Sequence, residues 1–207
     1  MGLMAKDSGG GDFEITPAGN HIGICYMVCD LGEQEVDWQG AKKVMRKVRF
    51  SWELPNELMK DGRPFSASKK YTLSLGDKAN LRKDLESWRG RAFSDQELEG
   101  FELFNVVGKA CMINIIHETA NGKTYANVAS VAALPKGMPA PVMVNKKVMF
   151  SLNDDNAVDV FNGLPEWLQK MINSRGLFGG KYQAAHEMQM PDDPLGSYDE
   201  FDDQIPF

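Results

Sequence analysis

The chain has 207 residues, 43% of them hydrophobic and 25% charged, with a formal net charge of −6. That is enough for one domain with a real core. No apolar stretch approaches the ~20 residues that span a bilayer, and MGLMAKDSGGGDFEI lacks the apolar core of a signal peptide, so neither insertion nor export is expected and the predicted location is the cytoplasm.

The net charge hides an uneven distribution. From Ala41 to Arg91 there are fourteen Lys and Arg against six Asp and Glu, a local +8, whereas His186 to Phe207 holds seven acids and no Lys or Arg. Without that segment the remainder carries +1. A basic body with an acidic tail is compatible with a nucleic-acid partner, which the total alone would argue against. Three cysteines, Cys25, Cys29 and Cys111, are too few for a disulfide framework, and free, mostly buried thiols are expected.

Residues 1–16, Gly-rich and polar, read as a flexible N-terminus, with folded structure beginning near Pro17. His21 to Leu31 reads as a first strand, followed by a polar loop, GEQEVDWQG, from Gly32 to Gly40. KKVMRKVRFSWEL is a second strand: Val44, Val48, Phe50, Trp52 and Leu54 share one parity and Lys43, Lys47 and Arg49 the other, giving one basic face. Pro55 to Pro64 is turn material, and FSASKKYTLSL is a third strand with Phe65, Ala67, Tyr71, Leu73 and Leu75 on one face. The period then changes to helical. Asp77 is the expected N-cap of a helix with Leu81, Leu85 and Trp88 on one side, Gly90 ends it, and Ser94 with Glu97 forms a capping box for a short second helix. KACMINIIHE and KTYANVASVAAL make a hairpin through Asn121-Gly122, a register that sets Ile115 opposite Val128 and Glu118 opposite Tyr125.

Three strands, a helix and a two-strand hairpin is the order of the OB-fold, a five-stranded Greek-key barrel that binds oligonucleotides on its second and third strands. The expected fold is therefore mainly β: that barrel over residues 17–150, with the helix between strands 3 and 4. An extension at 151–185 follows, carrying an amphipathic helix with Leu164, Trp167, Leu168, Met171 and Ile172 on its apolar face, and a disordered acidic tail closes the chain at 186–207. The helix is expected to dock on the barrel, with an oligomer contact as the other use of its face.

The basic segment coincides with the second and third strands and is interleaved with aromatic residues, the combination a single-strand binder needs: cations to follow phosphates and rings on which bases stack. Lys43, Lys47 and Arg49 are the leading phosphate contacts, because three cations on one parity make a stripe; Lys42, Arg46, Lys69 and Lys70 are helpers. Trp38, in the loop between the first two strands, and Tyr125, beside the hairpin tip, are candidate stacking rings, as are Trp52 and Tyr71. For Phe50 and Trp52, on the apolar parity, core packing competes with stacking, and Trp88 reads as core. Arg82, Lys83, Arg89 and Arg91 alternatively form the helix's own solvent face.

WELPNELMKDGRPFSASKKYTLSLGDKANLRKDLESWRGRAF, with GKACMINI and NGKTYANVASVAALPKG, resembles the phage-encoded single-stranded DNA-binding proteins of OB-fold type over roughly Pro17 to Gly137. The final DDQIPF is similar to the DDDIPF end of bacterial single-stranded DNA-binding proteins, with Gln204 in place of the third acid. The body lacks the bacterial proteins' N-terminal strand sequence and long Gln/Gly/Pro linker, so their tetramer is not carried over; monomer and dimer both remain open. The resemblance implies that single-stranded DNA is the ligand and that host or phage replication and repair enzymes are partners. Phe207 would anchor in an enzyme pocket, with Ile205 as a second apolar contact, Asp202 and Asp203 as steering charges, and Pro206 restricting the backbone to an extended shape.

Enzymatic readings find little support. His21, Cys25 and Cys29 recur at intervals of four, but adjacent members on a strand lie about 13 Å apart. A single zinc, with ligands at ~2.0–2.3 Å, cannot bridge that span. Asp154, Asp155 and Asp159 resemble a nuclease cluster by composition alone, and neither a phosphate loop nor a nucleophile set is present. No enzyme activity, metal or cofactor is expected. Two functions of different class stand: a sequence-tolerant single-stranded DNA-binding protein that recruits enzymes through its tail, or an adaptor that captures host repair enzymes by tail mimicry, its own DNA binding being incidental.

Overall fold

A two-residue apolar period running from Gly19 to Leu58 builds the longest feature of the molecule. In the computed structural model, which describes residues 14–38 and 40–172, β1 (Gly19–Trp38) and β2 (Ala41–Leu58) form one antiparallel ribbon. β3 (Pro64–Thr72) pairs with the later part of β2, and β4 (Ala110–Ala120) with β5 (Lys123–Ala132) makes a second hairpin. The order across the sheet is β3-β2-β1-β4-β5, and β6 (Val148–Phe150) joins β1 in parallel off that path. β1 serves both halves: residues 19–24 pair with β4, residues 24–38 with β2. Register shifts at Cys25/Met27 and Asp30/Gly32 bend it between the two. Gly23 lies where a Cβ would come within 3.2 Å of Ile113 and 3.3 Å of Trp52, so the strand passes close over the core.

The sheet is faced on both sides. On the inner face, Phe50, Trp52, Tyr71, Ile113, Ile115 and Val131 pack against α1 (Asn80–Arg89), whose Leu81, Leu85 and Trp88 are buried as their spacing predicts. Trp88 Nε1 donates to Ala110 O at 2.9 Å, and Ala133 N donates to Ser87 O at 3.0 Å, tying the helix to both strands of the second hairpin. On the outer face, Met27, Cys29 and Leu31 of β1 and Phe150 of β6 pack against α3 (Ala157–Asn162) and α4 (Glu166–Ile172), through Phe161, Leu164, Leu168 and Ile172. The amphipathic helix thus docks on the sheet. A loop from Ala133 to Lys147 connects the two layers, and buried Glu53 of β2 holds it: Oε1 accepts from Val144 N at 2.6 Å, and Oε2 accepts from Asn145 N at 2.7 Å and Asn145 Nδ2 at 2.6 Å.

Several local readings match. Asn121 and Gly122 both have positive φ, 50° and 75°, as the two-residue hairpin turn requires, and Ile115 faces Val128 and Glu118 faces Tyr125. Gly90 caps α1 in the left-handed region, and the Ser94/Glu97 box opens α2 (Asp95–Glu99). All three cysteines are free and buried.

Others are corrected. Gly32 to Gly40 is not a polar loop. Residues 33–38 extend β1 and pair with residues 41–46 of β2, because Glu33 faces Arg46 and Asp37 faces Lys42, opposite-charge pairs that offset the poor strand propensity of the acids. β2 likewise continues through Leu58, into what reads as turn material. Nor does Asp77 cap α1. The N-cap is Ala79 without a side-chain bond, and Asp77 instead accepts from Arg82 Nη1 at 2.5 Å. Among the described residues no helix is long and apolar enough to cross a membrane.

Candidate nucleic-acid interface

Directly opposed residues in an antiparallel pair point to the same face, so the register of β2 and β3 fixes what the outer face offers. Lys47 lies opposite Thr72, Arg49 opposite Lys70, Ser51 opposite Ser68 and Glu53 opposite Ser66. The basic parity of β2 is therefore real, and Lys70 and three serines extend it. Its exposure differs from expectation. Lys47 is only 7% exposed and Arg49 only 1%, and Trp167 of α4 lies over Arg49, so this part of the stripe is covered rather than open. Lys43, on the protruding ribbon, is exposed.

Arg49 shows what that cover does. Its Nη2 donates to Ser68 Oγ at 2.6 Å, and its guanidinium carbon lies 4.9 Å from the ring centroid of Trp167 on α4. Stripping water from a guanidinium is costly, and a hydroxyl and a π-face partly offset that cost. Between sheet and helix runs a narrow cleft of about 30 Å³, lined by Tyr26, Arg49, Ser51, Ser66, Ser68 and Trp167 among others. Leu164, Leu168 and Ile172 are buried beneath α4, whereas Trp167 remains 41% exposed at the mouth of the cleft.

Elsewhere the cations are matched to acids. Lys42 pairs with Glu35 at 2.6 Å and Arg46 with Asp30 at 2.5 Å, Lys69 with Asp84 at 3.0 Å, and Arg82 with Asp77 and Glu86 at 2.5 and 3.1 Å. Arg89 and Arg91 both reach Glu97. The pairing with Arg91 and the Ser94 N–H hold the Glu97 carboxyl down at about 2. The helper cations Lys42, Arg46 and Lys69 thus serve the fold first. Lys47 and Lys70 differ: neither forms an ion pair among the described residues, and the one carboxylate on their face, Glu53, is occupied by N–H donors of the loop.

No protein-family model and no curated protein matches the chain.

The candidate stacking rings separate sharply. Trp52 is buried, with its ring centroid 5.9 Å from Phe50 and 6.0 Å from Trp88, so core packing takes it. Tyr71 is buried too; its hydroxyl donates to Asp84 Oδ2 at 2.7 Å and its ring stands edge-on to Phe50, so it belongs to the core and not to an open face. Tyr125 is half-buried on β5 opposite Glu118. The ring of Trp38, and all of Asp202, Asp203, Ile205, Pro206 and Phe207, lie outside the described residues. Cys25 belongs to the inner core and Cys29 to the outer one, so the recurring His21, Cys25 and Cys29 do not converge on one ion; His21 instead bonds Pro17 O at 2.9 Å and Glu57 at 3.2 Å.

Sequence reasoning missed the lining of the cleft. Ser51, Ser66 and Ser68 share the outward parity with Arg49, a signal the same alternation carried. Trp167 sits at the margin of the Leu164, Leu168, Ile172 stripe, where a large ring can stay half open.

Proposed function

We propose that the chain is a sequence-tolerant single-stranded DNA-binding protein. The observation that carries this is Lys47 on the outer face of β2, largely buried, with Lys70 nearby and no carboxylate paired to either among the described residues. The stem of Lys47 is buried while its ammonium is not among the enclosed polar atoms, so an unpaired cation is held at this face, and a phosphate brought to it would be neutralised there while its own counterions are released. The half-buried hydroxyls of Ser66 and Ser68 add donors suited to phosphate or base edges. The intramolecular pairing of cations on the helix side argues that the phosphate path avoids that side.

The fold that best fits this reading is the OB barrel. In its support, β3 and β5, the outer strands of the path, both line the closely packed core around α1, through Tyr71 and Val131. The β1–β2 and β4–β5 hairpins extend from opposite ends of β1, and along that strand the cationic patch lies between them. These hairpins are the first and last loops that OB folds use beside their ligand face. The protein would coat exposed strands during phage DNA replication, recombination and repair. The acidic segment ending in DDQIPF would recruit the enzymes that act on them.

Fluorescence anisotropy with a labelled oligothymidylate and the matching duplex tests the proposal. Preferential binding of the single strand, with little change when the base composition is varied, is the expected result. A protein that leaves the oligonucleotide free at low salt would overturn it.

A further inference from the structure

Resting on the single-strand reading, we infer that the helix appended after the sheet, α4, supplies part of the binding site: Trp167, backed on one face by Arg49, is a stacking platform for one nucleobase at the mouth of the serine-lined cleft. The ring is held for this role. One face lies against the Arg49 guanidinium at 4.9 Å, so the 41% exposure belongs to the other face and the edge. The helix beneath is fixed by Leu168 and Ile172, both fully buried, and by Gln34 Nε2 donating to Met171 O at 3.2 Å. A ring immobilised before binding costs little further ordering when a base stacks on it.

The cleft chemistry suits a nucleotide and does not select a base. Serine hydroxyls donate or accept as they rotate, so the half-buried Ser66 at the rim of the cleft can meet either type of polar group on a neighbouring nucleotide. Ser68 Oγ already accepts from Arg49 Nη2 and still has its own proton to donate. Lys70, directly opposite Arg49 in the sheet, is placed for the phosphate of the same nucleotide. The inner-face rings cannot serve, since Phe50, Trp52 and Tyr71 are enclosed by α1 and the second hairpin.

The test uses the full chain with Trp38→Phe as background, so that among the remaining tryptophans Trp167 is exposed while Trp52 and Trp88 are buried. Adding oligothymidylate should quench tryptophan emission in step with binding followed by anisotropy. In the same background Trp167→Ala should abolish the quench and weaken binding by about 5- to 150-fold, the equivalent of one lost base stack. Trp167→Phe should restore most of the affinity, which a merely structural effect of losing the indole on helix docking would not predict. Binding without any quench in the Trp38→Phe protein, or an affinity for Trp167→Ala within twofold of its background, would overturn the inference and leave the single-strand reading standing. Failure of the unmodified protein to bind the oligonucleotide would instead remove that reading, and this site with it.

Discussion

Replacing Glu53 by Gln probes how the outer layer is held on. The carboxylate is fully buried and receives three N–H donors from the loop that leads to β6, one on Oε1 and two on Oε2. With its amide oxygen on the Oε2 side, Gln keeps both bonds to Asn145, but its NH2 then faces the Val144 N–H at what is now a 2.6 Å donor–acceptor separation. The loss of one charge-assisted bond, about 1.5–3 kcal/mol, adds to about 1–3 kcal/mol for a buried donor left without an acceptor, giving roughly 2.5–6 kcal/mol. That is a large share of the ~5–15 kcal/mol by which domains are stable. Urea unfolding should show the midpoint falling, and hydrogen exchange should show the Val144 and Asn145 amides losing protection. A loss under about 1 kcal/mol, with both amides still protected, would refute the idea that this carboxylate fastens the outer layer.

Two further outcomes concern titrating groups. Glu97, held down at about 2 by Arg91 and the Ser94 N–H, should titrate there by NMR; because its folded value is depressed, the stability it contributes is present above about 4.3 and is lost as pH falls toward 2, and a midpoint near 4.3 would contradict the pairing. Burial pushes the Cys25 thiol up to about 12 and raises Cys29 and Cys111 as well, so a disulfide reagent at pH 8 should find no reactive thiol in the native protein and three after denaturation; rapid labelling of any of them in the folded state would contradict that burial.

The β4–β5 hairpin was legible in the sequence because Asn121-Gly122 dictates its turn locally, and the face of α1 was legible because Leu81, Leu85 and Trp88 keep helical spacing. Parity along β2 likewise separated Phe50 and Trp52 from Lys47 and Arg49 correctly. What parity cannot encode is a second layer: an alternating strand reads as half-buried until something distant covers its polar face. Here α4, more than 110 residues further along, covers Arg49, so a stripe expected to meet solvent became the floor of a cleft. The ribbon tip escaped for a related reason, since cross-strand pairing of Glu33 and Asp37 with Arg46 and Lys42 depends on partners rather than on local propensity.

The central claim is that phosphates follow the outer face of β2 and β3. The most direct measurement is the salt dependence of oligothymidylate affinity for the wild type and for a variant with Lys43, Lys47 and Lys70 all changed to Gln. The account predicts a steep fall of log K with log salt in the wild type, and a slope flattened by about 0.7 for each phosphate contact removed in the variant. Equal slopes in the two proteins would place the strand elsewhere on the molecule and contradict the account.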